Sequence, residues 1–257
     1  MEIKKLNAAR GWTWVKHGYQ LIMLNPLMAI SFALIGALAI FTALRIPLLG
    51  PLVALLLMPI VIMGYMRVCR ALEEEEEVEL LHLLAGLRKH TAQLIALGGF
   101  LILGLLLSSM AMIMLGGEPL RNMLDGLNAA SDPQMLLDAM WAAGSSVAIS
   151  LMVGFALMCL LMLAFQYAPM LVYFNDLRPL AAMHASLSGS LRNILPYTVY
   201  NIVMQVIAVA LSLLPFNLGM IVLLPLGLAS LYVSYRNIFP FAHELVPTPP
   251  DVPGTEA

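Results

Sequence analysis

The segment Asn193–Tyr235 reads NILPYTVYNIVMQVIAVALSLLPFNLGMIVLLPLGLASLYVSY and carries no charged side chain. Its only interruption is Pro215-Phe216-Asn217, which leaves two apolar halves. A hydrocarbon core about 30 Å thick takes roughly 20 such residues as a helix. Helix is the required form, because an isolated strand or coil leaves backbone N–H and C=O groups unpaired in lipid. The segment therefore predicts two membrane-spanning helices joined by a tight turn.

The same pattern repeats toward the N-terminus. Hydrophobic residues make up 61% of the chain and charged ones only 11%, against a globular norm of about 45–50% and 25%. Mean hydropathy is +0.90. This composition excludes a soluble enzyme of ordinary build. The expected fold class is all-α: a polytopic membrane helical bundle of six transmembrane helices, arranged as three hairpins with interfacial amphipathic helices. The spans fall at about 27–44, 48–66, 94–115, 145–167, 195–214 and 218–235, within a single transmembrane domain over 1–244. Residues 245–257 hold four prolines and read as a disordered cytoplasmic tail. Lys4, Lys5 and Arg10 precede an apolar stretch, as in a signal peptide, but that stretch starts only near Leu27 and a second span follows almost at once. The N-terminus is thus expected to stay in the final protein.

Arg45-Ile46-Pro47 and Pro215-Phe216-Asn217 are tight turns on one side of the membrane. Alternating the remaining loops puts Lys4, Lys5, Arg10, Lys16, Arg67, Arg70, Arg88, Lys89, Arg178, Arg192 and Arg236 on the other side. Only Arg45 and Arg121 of the thirteen basic residues stay with the turns. Lys and Arg collect in short cytoplasmic loops, so both termini are expected to be cytoplasmic. Glu73–Glu77 falls on that side too, which is compatible because acids contribute little to orientation. Between Arg70 and His90, Leu80, Leu81, Leu84 and Leu87 recur at helical spacing, predicting an amphipathic helix along the headgroups.

Each hairpin is preceded by a basic interfacial segment and leaves with a tyrosine and a charge: Tyr65 and Arg67, Tyr173 and Asp176, Tyr232 and Arg236. The repeat predicts three similar units, set around a pseudo-threefold axis or side by side. The long connection 116–144 differs from the two tight turns. Pro119 opens one short helix and Ser131-Asp132-Pro133 caps a second, so the segment reads as an acidic periplasmic lid. Trp12, Trp14 and Trp141 fit interfacial anchors.

Signs of chemistry are few. There is no HExxH, GxSxG or Walker loop, and no ionisable residue lies inside a predicted span. Cys69 and Cys159 show no pairing pattern. His82, His90 and His184 lack ligand spacing, so no metal and no cofactor are expected. The weak ligand-binding candidates are Asn201 and Gln205, one turn apart on the fifth span, and Gln166 at the end of the fourth. Such amides also bond neighbouring helices, at roughly 0.6 kcal/mol each. Packing signals are clearer: Ala142, Ser146, Ser150 and Gly154 recur every four residues, as do Ala29, Ala33 and Ala37, so another backbone can approach closely. Pro59, Pro169 and Pro225 are expected to kink their helices.

The run Arg10-Gly11-Trp12-Thr13-Trp14-Val15-Lys16-His17-Gly18-Tyr19 with Asn25-Pro26, and Pro47-Leu48-Leu49-Gly50-Pro51 leading to Gly64-Tyr65-Met66-Arg67, carry a resemblance over most of the chain. They resemble a family of uncharacterised proteobacterial inner-membrane proteins. The resemblance implies a bacterial inner membrane and supplies no reaction or functional residue.

The favoured functional reading is a non-enzymatic scaffold or accessory subunit. It is in contact with the lipid bilayer, and with a membrane-protein partner or further copies of itself. The alternative is a permease or lipid-handling protein with a cleft between hairpins. Nucleic acid is not an expected partner, since the basic residues are dispersed along the membrane boundary.

Overall fold

The computed structural model describes residues 3–129, 134, 141, 144–213 and 218–240. Among these the secondary structure is helical, and six helices are long and apolar enough to cross a membrane.

Helix α1 (Arg10–Leu24) is amphipathic. It buries Gly11, Trp14, Val15, Gly18, Leu21 and Ile22, at the three-and-four spacing of one helix face. Asn25 ends it and starts α2 (Pro26–Leu44), its side chain accepting from the Met28 N–H at 3.2 Å while Pro26 takes the first helical position. A tight turn, in which Leu48 has a left-handed φ of 65°, leads to α3 (Gly50–Glu73). A Cβ on Gly50 would lie 2.6 Å from the Leu44 carbonyl oxygen, so the turn closes only with glycine there.

The expected amphipathic helix between Arg70 and His90 is replaced by a bent path. Helix α3 runs to Glu73, and after an irregular stretch a 3-10 turn (Leu80–Leu84) and α4 (Ala85–Arg88) follow. The glutamates cause the bend. Arg67 binds Glu76 at 2.6 Å, folding the acidic run back onto α3 with Glu75 left-handed at the corner, while the i,i+4 pair of Arg70 and Glu74 at 2.9 Å closes the last turn of the helix. Arg67 holds the Glu76 carboxyl below the usual range, and burial followed by Arg67 lowers His82.

Helix α5 (Thr91–Ala129) breaks at Gly117 (φ 53°) and resumes behind Pro119. This places the first short helix of the expected lid. Ser131, Asp132 and the rest of the second one lie outside the described residues, as do Pro215-Phe216-Asn217 and the 245–257 tail. Helix α6 (Gly144–Phe165) is followed by α7 (Ala168–Asn175), so Pro169 opens a new helix and does not kink a continuous one. Pro59 and Pro225 lie inside their helices. The remaining helices are α8 (Pro179–Arg192), α9 (Ile194–Ser212) and α10 (Leu218–Ile238).

Three antiparallel hairpins result: α2 with α3, α5 with α6, and α9 with α10. The interfacial elements tie them into a ring. Helix α1 packs on α9 and α10, the 3-10 turn and α4 pack on α3, and α8 packs on α6. Each unit thus lays its interfacial element on the preceding unit's hairpin, and the first unit lays its own on the third. Small residues make each seam close: Gly18 abuts Ser230, Gly64 abuts the Leu83 backbone, and Ser186 Oγ donates to the Leu163 carbonyl at 2.7 Å.

Ser186 also accepts from the Tyr167 N–H at 3.2 Å. It therefore bridges the two backbone groups that an unbroken helix through 166–167 would pair with each other.

The core sits at the end of the bundle that carries α1, α4 and α8, called the base below. Met63, Met66, Val68, Leu94, Met170, Tyr167, Tyr235 and Phe239 are fully buried there. Toward the opposite end, Leu106, Phe155, Val206 and Leu213 are exposed. The hairpins are joined at the base and leave apolar faces open along the spans.

Candidate functional site

The base is locked by bonds that join the first and third hairpins to each other and to α7, which follows the second. Tyr232 donates its hydroxyl to Glu73 at 2.5 Å, and Arg236 pairs with the same carboxylate at 3.1 Å, tying α10 to α3. Tyr235 donates to Asn175 Oδ1 at 2.5 Å and stacks on Phe174, tying α10 to α7. The Arg70 guanidinium lies 5.4 Å from the Phe174 ring centre, tying α3 to α7. Beside these, Lys89 and His90 both reach Asp176, at 2.9 and 2.6 Å. Those two contacts, Lys89 first, hold the Asp176 carboxyl below its ordinary range.

Above the base two hollows open along α10. One, of about 360 Å³, lies between α2, α3 and α10 and is almost wholly apolar, with Phe32, Ile40, Val61 and Leu228 among its walls. Tyr65 lines its base end. The other, of about 440 Å³, is a cleft lined by α9, α10 and Gln166. Its polar wall is Gln166, Tyr197, Tyr200 and Asn201; its apolar wall runs along α10 from Met220 to Leu231. Leu224 and Leu228 line both hollows, so α10 is the partition.

The structure brings Gln166 and Asn201 to one cleft and leaves out Gln205, which is exposed elsewhere on α9. Four residues on a helix advance about 400°, so Gln205 is rotated roughly 40° from Asn201. Gln166 donates to Ser190 at 2.9 Å, and Asn201 to the Tyr197 carbonyl at 2.8 Å. Sequence reasoning passed over Tyr197 and Tyr200. Their spacing with Asn201, i, i+3 and i+4, was the signal that they share its face.

The same rotation divides the small-residue strip of α6. Ser150 and Gly154 meet α5, Ser150 beside Gly116 and Gly154 against Met112, while Ser146 is exposed. Ala142 lies outside the described residues. Ala29 and Ala33 are buried, and Ala37 opens onto the apolar hollow. Trp14 is fully buried, edge-on to Tyr200, whereas Trp12 and Trp141 are exposed.

Chemically, the cleft offers amide and phenol groups beside hydrocarbon. These are neutral donors and acceptors suited to an ester, an alcohol or an amide at the end of an apolar body. Among the described residues no three His, Cys, Asp or Glu side chains are grouped to hold a metal ion.

No family model matches the chain, and no solved structure does. The chain is similar to a protein of Burkholderia thailandensis described as a "probable inner membrane protein". The two are 26% identical over an alignment 259 positions long, which takes in 93% of this chain and 94% of that one. An end-to-end likeness to that protein, together with six apolar helices in three hairpins, makes this chain a multi-pass protein of the inner membrane.

Proposed function

We propose that the protein accommodates an amphiphile, a lipid or a lipid-like solute, between its hairpins, without transforming it. The observation that carries this reading is the pair of hollows sharing Leu224 and Leu228. One is apolar and lies between the first and third hairpins, and the other has a polar wall and lies against the third hairpin and Gln166. A solute with a hydrocarbon body and a neutral polar group matches the two linings. The scaffold reading rests on the small-residue strips, the interfacial helices and Glu73–Glu77, and the structure adds an exposed stripe, Ile202, Val206, Val209 and Leu213 of α9. Lipid tails solvate such a stripe without any protein partner, so it does not separate the two readings.

In this proposal the base faces the cytoplasm, as the gathering of Lys and Arg there supports. Alkaline-phosphatase fusions at Asn128 are expected to be active and fusions at Leu83 inactive; the reverse pattern inverts the protein.

The function itself is tested by native mass spectrometry of the chain purified in mild detergent. Lipid-sized adducts on the chain are expected, and Leu228→Trp, which fills both hollows at their shared wall, should reduce them by roughly half or more while leaving the helical circular-dichroism signal intact. A stoichiometric protein partner with no lipid adduct would return the argument to the scaffold.

A further inference from the structure

The base holds a feature that the cleft does not use. Two adjoining hollows of about 320 Å³ each flank the Glu73–Arg236 pair and share both residues and Asn237. Arg236 is nine residues beyond Gly227 on α10 and so projects from the opposite side of that helix, away from the cleft.

Lys4 and Arg10 line one hollow, and His17 and Gln20 the other. Among the described residues that line the hollows, Lys4 and Arg10 stand beside the Glu73–Arg236 ion pair and add two cations to it. Among the described residues neither Lys4 nor Arg10 forms an ion pair.

Nor is Lys4 carried on a loose arm. Its backbone N–H donates to the Ile238 carbonyl at 3.1 Å, and its carbonyl accepts from the buried Asn193 at 2.9 Å. The fold therefore holds Lys4 in place beside the Glu73–Arg236 pair. Leu6, Leu21 and Leu24 complete the walls, so the groove is charged at one margin and greasy at the other.

Its position relative to the apolar hollow defines the ligand. On α3, Glu73 lines the groove and Tyr65 lines the base end of the apolar hollow; on α10, Tyr232 and Leu228 do the same one turn apart. Eight residues of helix are about 12 Å, which is less than half of a hydrocarbon core of about 30 Å. A charged groove and an apolar hollow thus follow one another along a single α3–α10 seam, within the depth of one leaflet.

We propose that the groove binds the phosphate of an anionic phospholipid headgroup, with the acyl chains running along the α3–α10 seam. The proposal rests on the reading that the protein accommodates lipid between its hairpins, and it adds the headgroup chemistry.

The test exposes the purified full-length chain to phosphatidylglycerol or phosphatidylcholine with matched acyl chains and counts retained lipid by native mass spectrometry. Preferential retention of phosphatidylglycerol is expected. Lys4→Gln with Arg10→Gln should lower the preference by roughly fivefold per cation removed, with phosphatidylcholine, whose choline offsets the phosphate charge, losing far less than phosphatidylglycerol. Arg10→Lys should keep the preference, and so should Arg88→Gln, which removes a cation at the base outside the groove.

Wild-type protein that retains both lipids equally overturns the headgroup site and leaves the lipid-accommodating function standing. Retention of neither lipid overturns both. Millimolar inorganic phosphate that displaces phosphatidylglycerol as effectively as the lipid itself overturns the lipid assignment in favour of a soluble anion.

Discussion

Gly11→Ala is expected to pull α1 off the third hairpin and to lower the thermal unfolding midpoint in detergent by about 10 °C. A Cβ at this position would stand 2.2 Å from the Pro196 carbonyl oxygen and 2.7 Å from the Tyr200 nitrogen. Both are backbone atoms, so no rotamer change relieves the contact and α1 must move as a body. Overpacking of this kind costs about 3 kcal/mol, and in a chain of this size each kcal/mol moves the midpoint by roughly 2–4 °C. Gly64→Ala should behave alike at the next seam, where the added carbon would lie 2.2 Å from the Leu83 carbonyl oxygen. Gly99→Ala is the control. Nothing lies within 4 Å of its Cβ position, and alanine favours the helix, so stability should hold or rise slightly. Equal midpoints for all three variants would mean that the seams are not close-packed.

Asn193→Ala should be nearly as damaging, by about 2–4 kcal/mol. Asn193 is fully buried and acts as a hub. Its Oδ1 accepts from the Leu6 N–H at 2.8 Å, while Nδ2 donates to the Lys4 and Gly189 carbonyls, both at 2.9 Å. Alanine leaves three backbone groups without this partner, and buried groups left unsatisfied cost about 1–3 kcal/mol each, less wherever water reaches them. The N-terminal segment should come loose, so limited proteolysis is expected to remove residues ahead of α1 from the variant long before it touches the wild type. Asn193→Asp should not rescue it, because a carboxylate keeps the acceptor but faces two carbonyl oxygens with a negative charge. An unchanged proteolysis pattern in Asn193→Ala would show that the segment is held by other contacts.

The spans were legible because their signal is redundant: each apolar run is far longer than a soluble helix needs, and turns with proline leave an antiparallel hairpin as the short solution. The order of docking was not. Gly18, Gly64 and Ser186 are small residues in apolar or amphipathic surroundings, and nothing local says which backbone will approach them. Asn193 looked like no more than the edge of a charge-free stretch, whereas its three bonds all depend on where the N-terminus returns. The Arg70–His90 segment misled for a related reason. Its leucines keep helical spacing, but Arg67 captures Glu76 across a left-handed Glu75 and turns the chain before a helix can extend. At the candidate cleft, Gln166 and Asn201 were readable as polar groups in lipid, while Gln205 failed because a four-residue step drifts around the helix, a drift that matters only once a neighbour fixes which side faces inward.

The ring closure also has a consequence in time. Helix α1 leaves the ribosome well before α9 and α10, the surface it rests on. During synthesis its apolar side must wait among the lipid headgroups, and the Lys4–Ile238 bond can form only when the sixth span is in place. A chain cut short before α9 is therefore expected to leave the apolar side of α1 open to added protease, whereas the full chain covers it.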